Sequence, residues 1–322
     1  MQLRYDISEF LDRHLWFSIG LIKYVDDNEA LNPSQRNVLA HLGAKRADRP
    51  FFSEQLQSEL KEELSIRLSK FQDFIPENET LFVSKFHLNQ IMRCERQFVA
   101  DRESQFEWSV PTARGLISHK AIELSVFWER EVEPLSLVDE ALSRCASGDD
   151  ALASWLYGLQ DGDRSQLRSD VNNRVGTFLE SWPPLKKEWR PMLEAPIRAE
   201  FAEGAIILSG KVDLSLGRPL GTTAGKVIVD FKTGNFYSSH REDLRFYALL
   251  EAIRLGVPPR MVATYYLDRS EFSSEHITEN VLESALFRVE DGVEKIVNIL
   301  YKGTEPKMCS SEWCALCAHE DS

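Results

Sequence analysis

The chain has 322 residues, 43% of them hydrophobic, and a formal net charge of −13. That size and apolar content suit one large domain or two moderate ones with a sizeable core. The acidic balance argues against a generic nucleic-acid coat, although residues 226–269, with seven Lys/Arg against five Asp/Glu, leave room for a local phosphate track. The longest apolar run near the N-terminus, Leu15 to Ile22, is interrupted by Ser18 and Gly20 and is too short to span a bilayer. Asp6, Glu9, Asp12 and Arg13 before it do not resemble a signal peptide, so a cytoplasmic location without membrane contact is expected.

Residues 1–80 read as a mostly helical extension, with Ile7, Phe10, Leu11, His14 and Leu15 at helical spacing and an amphipathic run from Gln55 to Phe74. No catalytic pattern falls there, and a packing or partner-binding layer is expected. A short helix over 85–100 carries Cys94, and a longer one runs from Ala113 to Glu131. Residues 135–182 read as a helical insertion broken around Gly148 and Gly162 and ended by Trp182-Pro183-Pro184. Strands follow. Glu194 to Phe201 and Ile206 to Leu216 flank the turn Glu203-Gly204, and a third strand covers 226–232. A helix from Glu242 to Leu255, a strand from Met261 to Leu267, a possible partner strand from Phe272 to Ile277 and a helix from Glu279 to Tyr301 complete the order. A helix, a β-meander, a helix and a strand, with helical elaborations, predict an α/β sandwich.

The chemistry is concentrated in Lys226-Val227-Ile228-Val229-Asp230-Phe231-Lys232. Side chains two apart on a strand share a face, so Asp230 and Lys232 project together while Phe231 anchors the other side. A carboxylate beside an ammonium on a rigid strand suits holding a divalent metal and stabilising charge on a phosphate. Gly210-Lys211-Val212-Asp213 brings a second carboxylate on a neighbouring strand. An Asp followed by Asp-x-Lys resembles the skeleton of metal-dependent nucleases.

Four parts stand in order: Gly115-Leu116-Ile117-Ser118-His119 on a helix, Gly210-x-x-Asp213, Asp230-x-Lys232, and a following helix with Tyr247. Together they resemble the RecB-like branch of the PD-(D/E)XK nuclease superfamily, which includes nuclease domains of recombination helicase–nucleases and CRISPR adaptation nucleases. The resemblance covers roughly residues 80–317 and implies a restriction-endonuclease-like core, a central mixed sheet flanked by helices. It further implies that Asp213, Asp230, His119 and the carbonyl of Phe231 hold Mg²⁺ or Mn²⁺. Lys232 would orient the attacking water or stabilise the phosphate, and Tyr247 would sit near the metal or the DNA backbone. Glu123, one turn after His119, is a ligand, a partner of that histidine or a solvated group, and Glu194 is a further candidate from a neighbouring strand. Two positions depart from the family pattern. Asp243 stands where the helix usually carries Gln, four residues before Tyr247, and Val212 stands where the family name has Pro.

Of the five cysteines, Cys309, Cys314 and Cys317 crowd the last fourteen residues, and the odd total argues against a disulfide framework. A closed thiolate site needs a fourth ligand, for which Cys94 is the best candidate. Relatives with one upstream cysteine and three near the C-terminus hold a [4Fe-4S] cluster that staples the domain. Their usual spacing is Cys-x2-Cys-x5-Cys, whereas here it is x4 then x2, and Zn²⁺ is the alternative. His319 is a possible replacement ligand, and Cys145 reads as a small core residue. The expected function is a metal-dependent deoxyribonuclease, acting as an exonuclease, on single-stranded or end-containing duplex DNA. The resemblance implies work in repair, recombination or phage defence beside a helicase or another defence-complex protein. The competing readings are a catalytically silent DNA-binding or scaffold subunit and a zinc-stapled structural protein.

Overall fold

The centre of the molecule is a strand buried on both faces, β4 (Val227–Lys232), in which Val227, Val229 and Phe231 enter one core and Ile228 another. The computed structural model describes residues 31–104, 106–128, 133–148 and 151–308. The helical spacing expected around Ile7 to Leu15, and Cys309, Cys314, Cys317 and His319, lie outside these residues. Beside β4 run β3 (Ile206–Leu216), antiparallel, and β5 (Met261–Tyr266), parallel. A hairpin carries β5 into the edge strand β6 (Glu271–His276). On the far edge of β3, β2 (Met192–Phe201) pairs from Met192–Ser215 to Phe201–Ile206. The turn between them takes positive φ at Ala202, Glu203 and Gly204, as the tight reversal requires.

A three-residue strand, β1 (Leu81–Val83), pairs parallel with Ile206–Leu208. Since β2 occupies one edge of β3, β1 and β4 share the other. β1 takes Ile206–Leu208 and β4 takes Leu214–Leu216, so among the described residues no strand lies beside 209–213 on that edge. The sheet forks there.

Helices cover both faces. On one side lie α2 (Leu56–Ser69), α3 (Lys85–Arg93), α9 (Ser239–Leu255) and α10 (Glu279–Leu300), which share a core with Leu208, Val212, Ile228 and Val262. Leu56, Leu60, Leu64 and Leu68 follow the four-residue ridge that turns α2 inward. The other side is covered by α1 (Pro33–Leu42), α5 (Val110–Phe127) and the end of α8 (Asp161–Ser181), packed on Val229, Phe231, Ala263 and Tyr265. A third core joins α5 and α8 to α6 (Pro134–Ala146) and α7 (Ala151–Gly158). The mixed α/β architecture with a central mixed sheet flanked by helices is the one expected from the sequence.

Several helix boundaries differ from expectation. The helix expected to reach Glu131 ends at Phe127, with Trp128 extended at φ −75°, ψ 124°. The single helix expected over 85–100 is two, α3 and α4 (Glu95–Glu103), with Cys94 extended between them at φ −160°, ψ 117°. The break expected at Gly162 falls just before it, because Gln160 is extended at the N-terminal cap of α8 and Gly162 lies within the first turn, where a glycine costs little.

Two glycines set how closely helices approach. A Cβ at Gly292 of α10 would stand 2.4 Å from Leu88 Cδ2 of α3, and one at Gly210 of β3 would stand 2.5 Å from Tyr247 Cε1 of α9. Gly210→Ala is therefore expected to cost about 1–3 kcal/mol by overpacking, measured as a shift of the urea midpoint. An unchanged midpoint would mean that Tyr247 does not lie over β3.

Candidate active site

The fork is held open by side chains that replace ladder bonds. The β3–β4 ladder ends at Leu214–Val229. Two residues on, the Phe231 N–H donates to Asp213 Oδ2 at 2.8 Å. Tyr247 Oη, from α9, donates to the Lys211 carbonyl at 2.7 Å. Each satisfies a backbone group that the parting strands leave behind. Opposite Asp213 on β2, Glu194 has a left-handed φ of 51°, a conformation that costs a non-glycine residue about 1–3 kcal/mol. Val212 and Leu214, two apart on β3, enter different cores, so the strand turns over at Asp213.

Asp230 and Lys232 project from β4 toward α3 and α9. Asp230 is 1% exposed, and a bare carboxylate there would be strongly penalised. Lys85 Nζ lies 2.7 Å from Oδ1 and Lys232 Nζ 2.8 Å from Oδ2. Burial pushes the Asp230 carboxyl up, but the two ammonium groups outweigh it and hold it well below the usual range. Burial likewise opposes charge on Lys85, yet Asp230, with Tyr247, Asp243 and Asp213, raises its pKa well above the ordinary value. Asp243 stands 3.9 Å from Lys85 and 3.7 Å from Lys232, and accepts a 2.5 Å bond from Asn89. Lys85 and Asn89 are one turn apart on α3, which is how a single helix face reaches both carboxylates. Burial raises the Asp243 carboxyl above its ordinary value. At the edge of this group, burial and then the Lys232 charge push the His240 imidazole down to about 4.

On the other side of the fork, α5 brings His119. Its Nδ1 is 3.5 Å from Asp213 Oδ1, and its ring meets Phe231 edge-on at 6.3 Å. Burial works against the imidazolium, but Asp213, Asp230 and Glu194 more than offset it and raise the pKa. One ligand atom each from His119, Glu194 and Asp213 lie within 4.8 Å of one another. Imidazole nitrogen plus carboxylate oxygen is a donor set that fits a hard divalent cation. Asp230 stands outside this trio, its oxygens facing the two lysines. The trio lines a cleft of about 470 Å³ whose walls include Gly115, Glu123, Lys211, Lys232 and Thr233.

The structure thus gathers His119, Asp213, Asp230, Phe231, Lys232 and Tyr247 around the fork. Tyr247 is 2% exposed and is tied to β3. Glu123 lines the cleft and pairs with Lys120 at 2.8 Å. Glu194, a weak candidate from sequence, stands with His119 and Asp213 and also pairs with Lys211. Lys85 had no signal in the sequence beyond its place after Ser84, the residue that caps α3, because its contact with Asp230 spans 145 residues. Cys94 is half-buried at the α3–α4 junction.

The depressed Asp230 carboxyl adds stability that is complete above its unfolded value, about pH 4, and fades as pH falls toward the lower folded value. Lys85→Met is expected to cost about 3 kcal/mol at pH 7, with the gap to wild type narrowing below about pH 4. Urea unfolding at pH 7 and pH 3 measures both, and a gap independent of pH would break the Lys85–Asp230 assignment.

Among curated proteins no sequence matches. Among solved structures, a Eubacterium rectale protein provisionally named an exonuclease is similar at 14% identity and a TM-score of 0.43, covering 75% of this chain and 88% of its own. The structure of SSO0001 is similar at 15% identity and a TM-score of 0.33, covering 74% and 83%. These likenesses are too loose to carry function. The model of the PD-(D/E)XK nuclease superfamily matches residues 83–322, well over half of the chain. This protein belongs to the PD-(D/E)XK nuclease superfamily.

Proposed function

We propose that the protein is a Mg²⁺- or Mn²⁺-dependent deoxyribonuclease of the RecB-like branch, acting as an exonuclease on single-stranded or end-containing duplex DNA. The observation that carries this reading is the convergence of His119, Glu194 and Asp213 with Lys232 on one cleft at the sheet fork. His119, Asp213 and Glu194 would hold the cation, with Asp230 and the Phe231 carbonyl completing its surroundings. Bound there, the cation supplies Lewis-acid polarisation of the phosphate and a lowered pKa for its water. Lys232, 23% exposed at the cleft and anchored by Asp230, offsets charge that develops on the phosphate. Lys85 keeps Asp230 ionised and fixed, and Tyr247 holds the fork open.

Asp213→Asn and Lys232→Ala are each expected to lower cleavage of labelled linear DNA at least about 100-fold. Mn²⁺ is expected to raise the melting temperature of the wild type and not of Asp213→Asn, a readout that does not depend on turnover. Retained cleavage in a clean Lys232→Ala preparation would remove that residue's role. One observation favours a second reading, a catalytically silent DNA-binding subunit: both Asp230 oxygens already face ammonium groups. Absence of cleavage by the wild type in Mg²⁺ and Mn²⁺, on linear and circular substrates, would select it.

The cysteines are assigned to a [4Fe-4S] staple formed by Cys94 with Cys309, Cys314 and Cys317, in preference to Zn²⁺. In support, the chain approaching Cys309 lies beside Cys94: the Lys307 N–H donates to Glu95 at 2.9 Å, and Met308 Sδ lies 3.8 Å from Arg96. Anaerobically purified protein is expected to be brown, with a visible thiolate-to-iron absorbance that Cys94→Ser removes. A colourless preparation rich in zinc would overturn the assignment.

Residues 1–80 are read as a helical extension to a nuclease domain over 81–322, serving a helicase or defence-complex partner in the cytoplasm. Phe51 and Ile66, 81% and 66% exposed, support a docking role. Among the described residues no helix is long and apolar enough to cross a membrane.

A further inference from the structure

A second cavity, of about 740 Å³, lies at the opposite end of β4 from the fork. Val227 at the start of the strand lines it, while Lys232 at the end lines the catalytic cleft. Five residues of strand, at about 3.3 Å each, separate the two by roughly 17 Å. Part of its wall is apolar, with Leu42, Leu216 and Trp189 among the lining residues.

Its charged side chains are predominantly cationic, and several donor groups are unused. Arg49 Nε, Trp182 Nε1 and Arg260 Nε are buried without a hydrogen-bond partner, and all three residues line this cavity. Arg260 is 5% exposed, and among the described residues its one side-chain bond goes to the Leu42 carbonyl. Neither Arg49 nor Arg260 forms an ion pair with a carboxylate among the described residues, and both burial and the Arg49 charge lower the pKa of Arg260. Glu188 is the one acidic lining residue; it is exposed, and Lys187, Arg190 and Arg218 outnumber it. A buried guanidinium without an anion costs free energy that a bound acceptor returns. Clustered donors select an anion with several acceptor oxygens. The volume exceeds that of an inorganic anion and falls in the range of pockets for organic ligands, and tryptophan beside arginine suits a planar ring joined to a phosphate.

We propose that this cavity binds a free nucleoside phosphate, with the phosphate on Arg49 and Arg260 and the base against the apolar wall at Trp189. The site is separate from the fork and needs no metal.

The test is calorimetric titration of the full chain in EDTA with adenosine monophosphate, ribose 5-phosphate and inorganic phosphate. One saturable site is expected, with adenosine monophosphate at least about tenfold tighter than ribose 5-phosphate. Arg260→Gln, checked for folding by circular dichroism, is expected to weaken binding about tenfold or more. Arg190→Gly serves if that variant does not fold, because Arg190 is exposed at the rim with φ 49°, a conformation glycine adopts freely. It is expected to weaken binding about threefold or more. Asp213→Asn, likewise checked for folding by circular dichroism, is expected to leave binding unchanged. No saturable heat, equal affinity for the two sugar phosphates, loss of binding in folded Asp213→Asn, or binding of an oligonucleotide alone would each overturn the proposal. Failure here leaves the nuclease reading intact, since cleavage is measured at the other end of the strand.

Discussion

A carboxylate sealed inside a central strand is the constraint from which most of this structure follows. Asp230 cannot stay ionised at 1% exposure without countercharge close by. One ammonium, Lys232, comes from its own strand, and a side chain two residues away offers little choice of position. The other comes from α3, and its delivery fixes where that helix sits. Asn89, one turn along, then engages Asp243 on α9, and Arg288 of α10 donates to Asn89 at 2.8 Å. Three helices on one face of the sheet are thus tied by hydrogen bonds to the electrostatics of one strand residue. Apolar packing supplies the bulk of the adhesion, but it is not directional. The polar chain from Arg288 to Asp230 supplies the direction.

The opposite face is organised differently. There Phe231 meets His119, Phe178, Trp182 and Tyr265, in each case edge to face. Such contacts restrict ring orientation as well as position. Asp230 and Phe231, adjacent in sequence, therefore present a charge network to one layer and an aromatic cluster to the other. His119, Glu194 and Asp213 stand where the two environments meet, at the fork.

Much of the architecture was legible because it is local. The β2–β3 hairpin follows from two strand-like runs flanking the turn Glu203-Gly204, and β4 from the alternation of Val227, Val229 and Phe231. What was hidden is non-local or too short to have a period. β1 has three residues, and nothing in Leu81-Phe82-Val83 requires a partner 125 residues away. The α3–α4 break at Cys94 has neither Pro nor Gly to announce it. In the candidate site, Asp213, Asp230, Lys232, His119 and Tyr247 stood out by spacing within a known pattern. Lys85 did not, because its role is set by the fold rather than by neighbours in the chain. Glu194 was only a weak candidate, since its left-handed backbone at the turn-over of the sheet has no signature in composition.

The close approach of Leu88 to Gly292 has a consequence in time rather than in space. Lys85 belongs to a helix made early in synthesis, yet the surface that presses that helix onto the sheet is α10, some two hundred residues further along. A nascent chain that has emerged as far as α9 already contains both aspartates of the fork and Lys232. It lacks the wedge that seats the second ammonium. Contacts of such sequence separation carry a loop-closure cost that is met before they reward the chain, so the seating of Lys85 against Asp230 depends on a helix at the far end of the described chain.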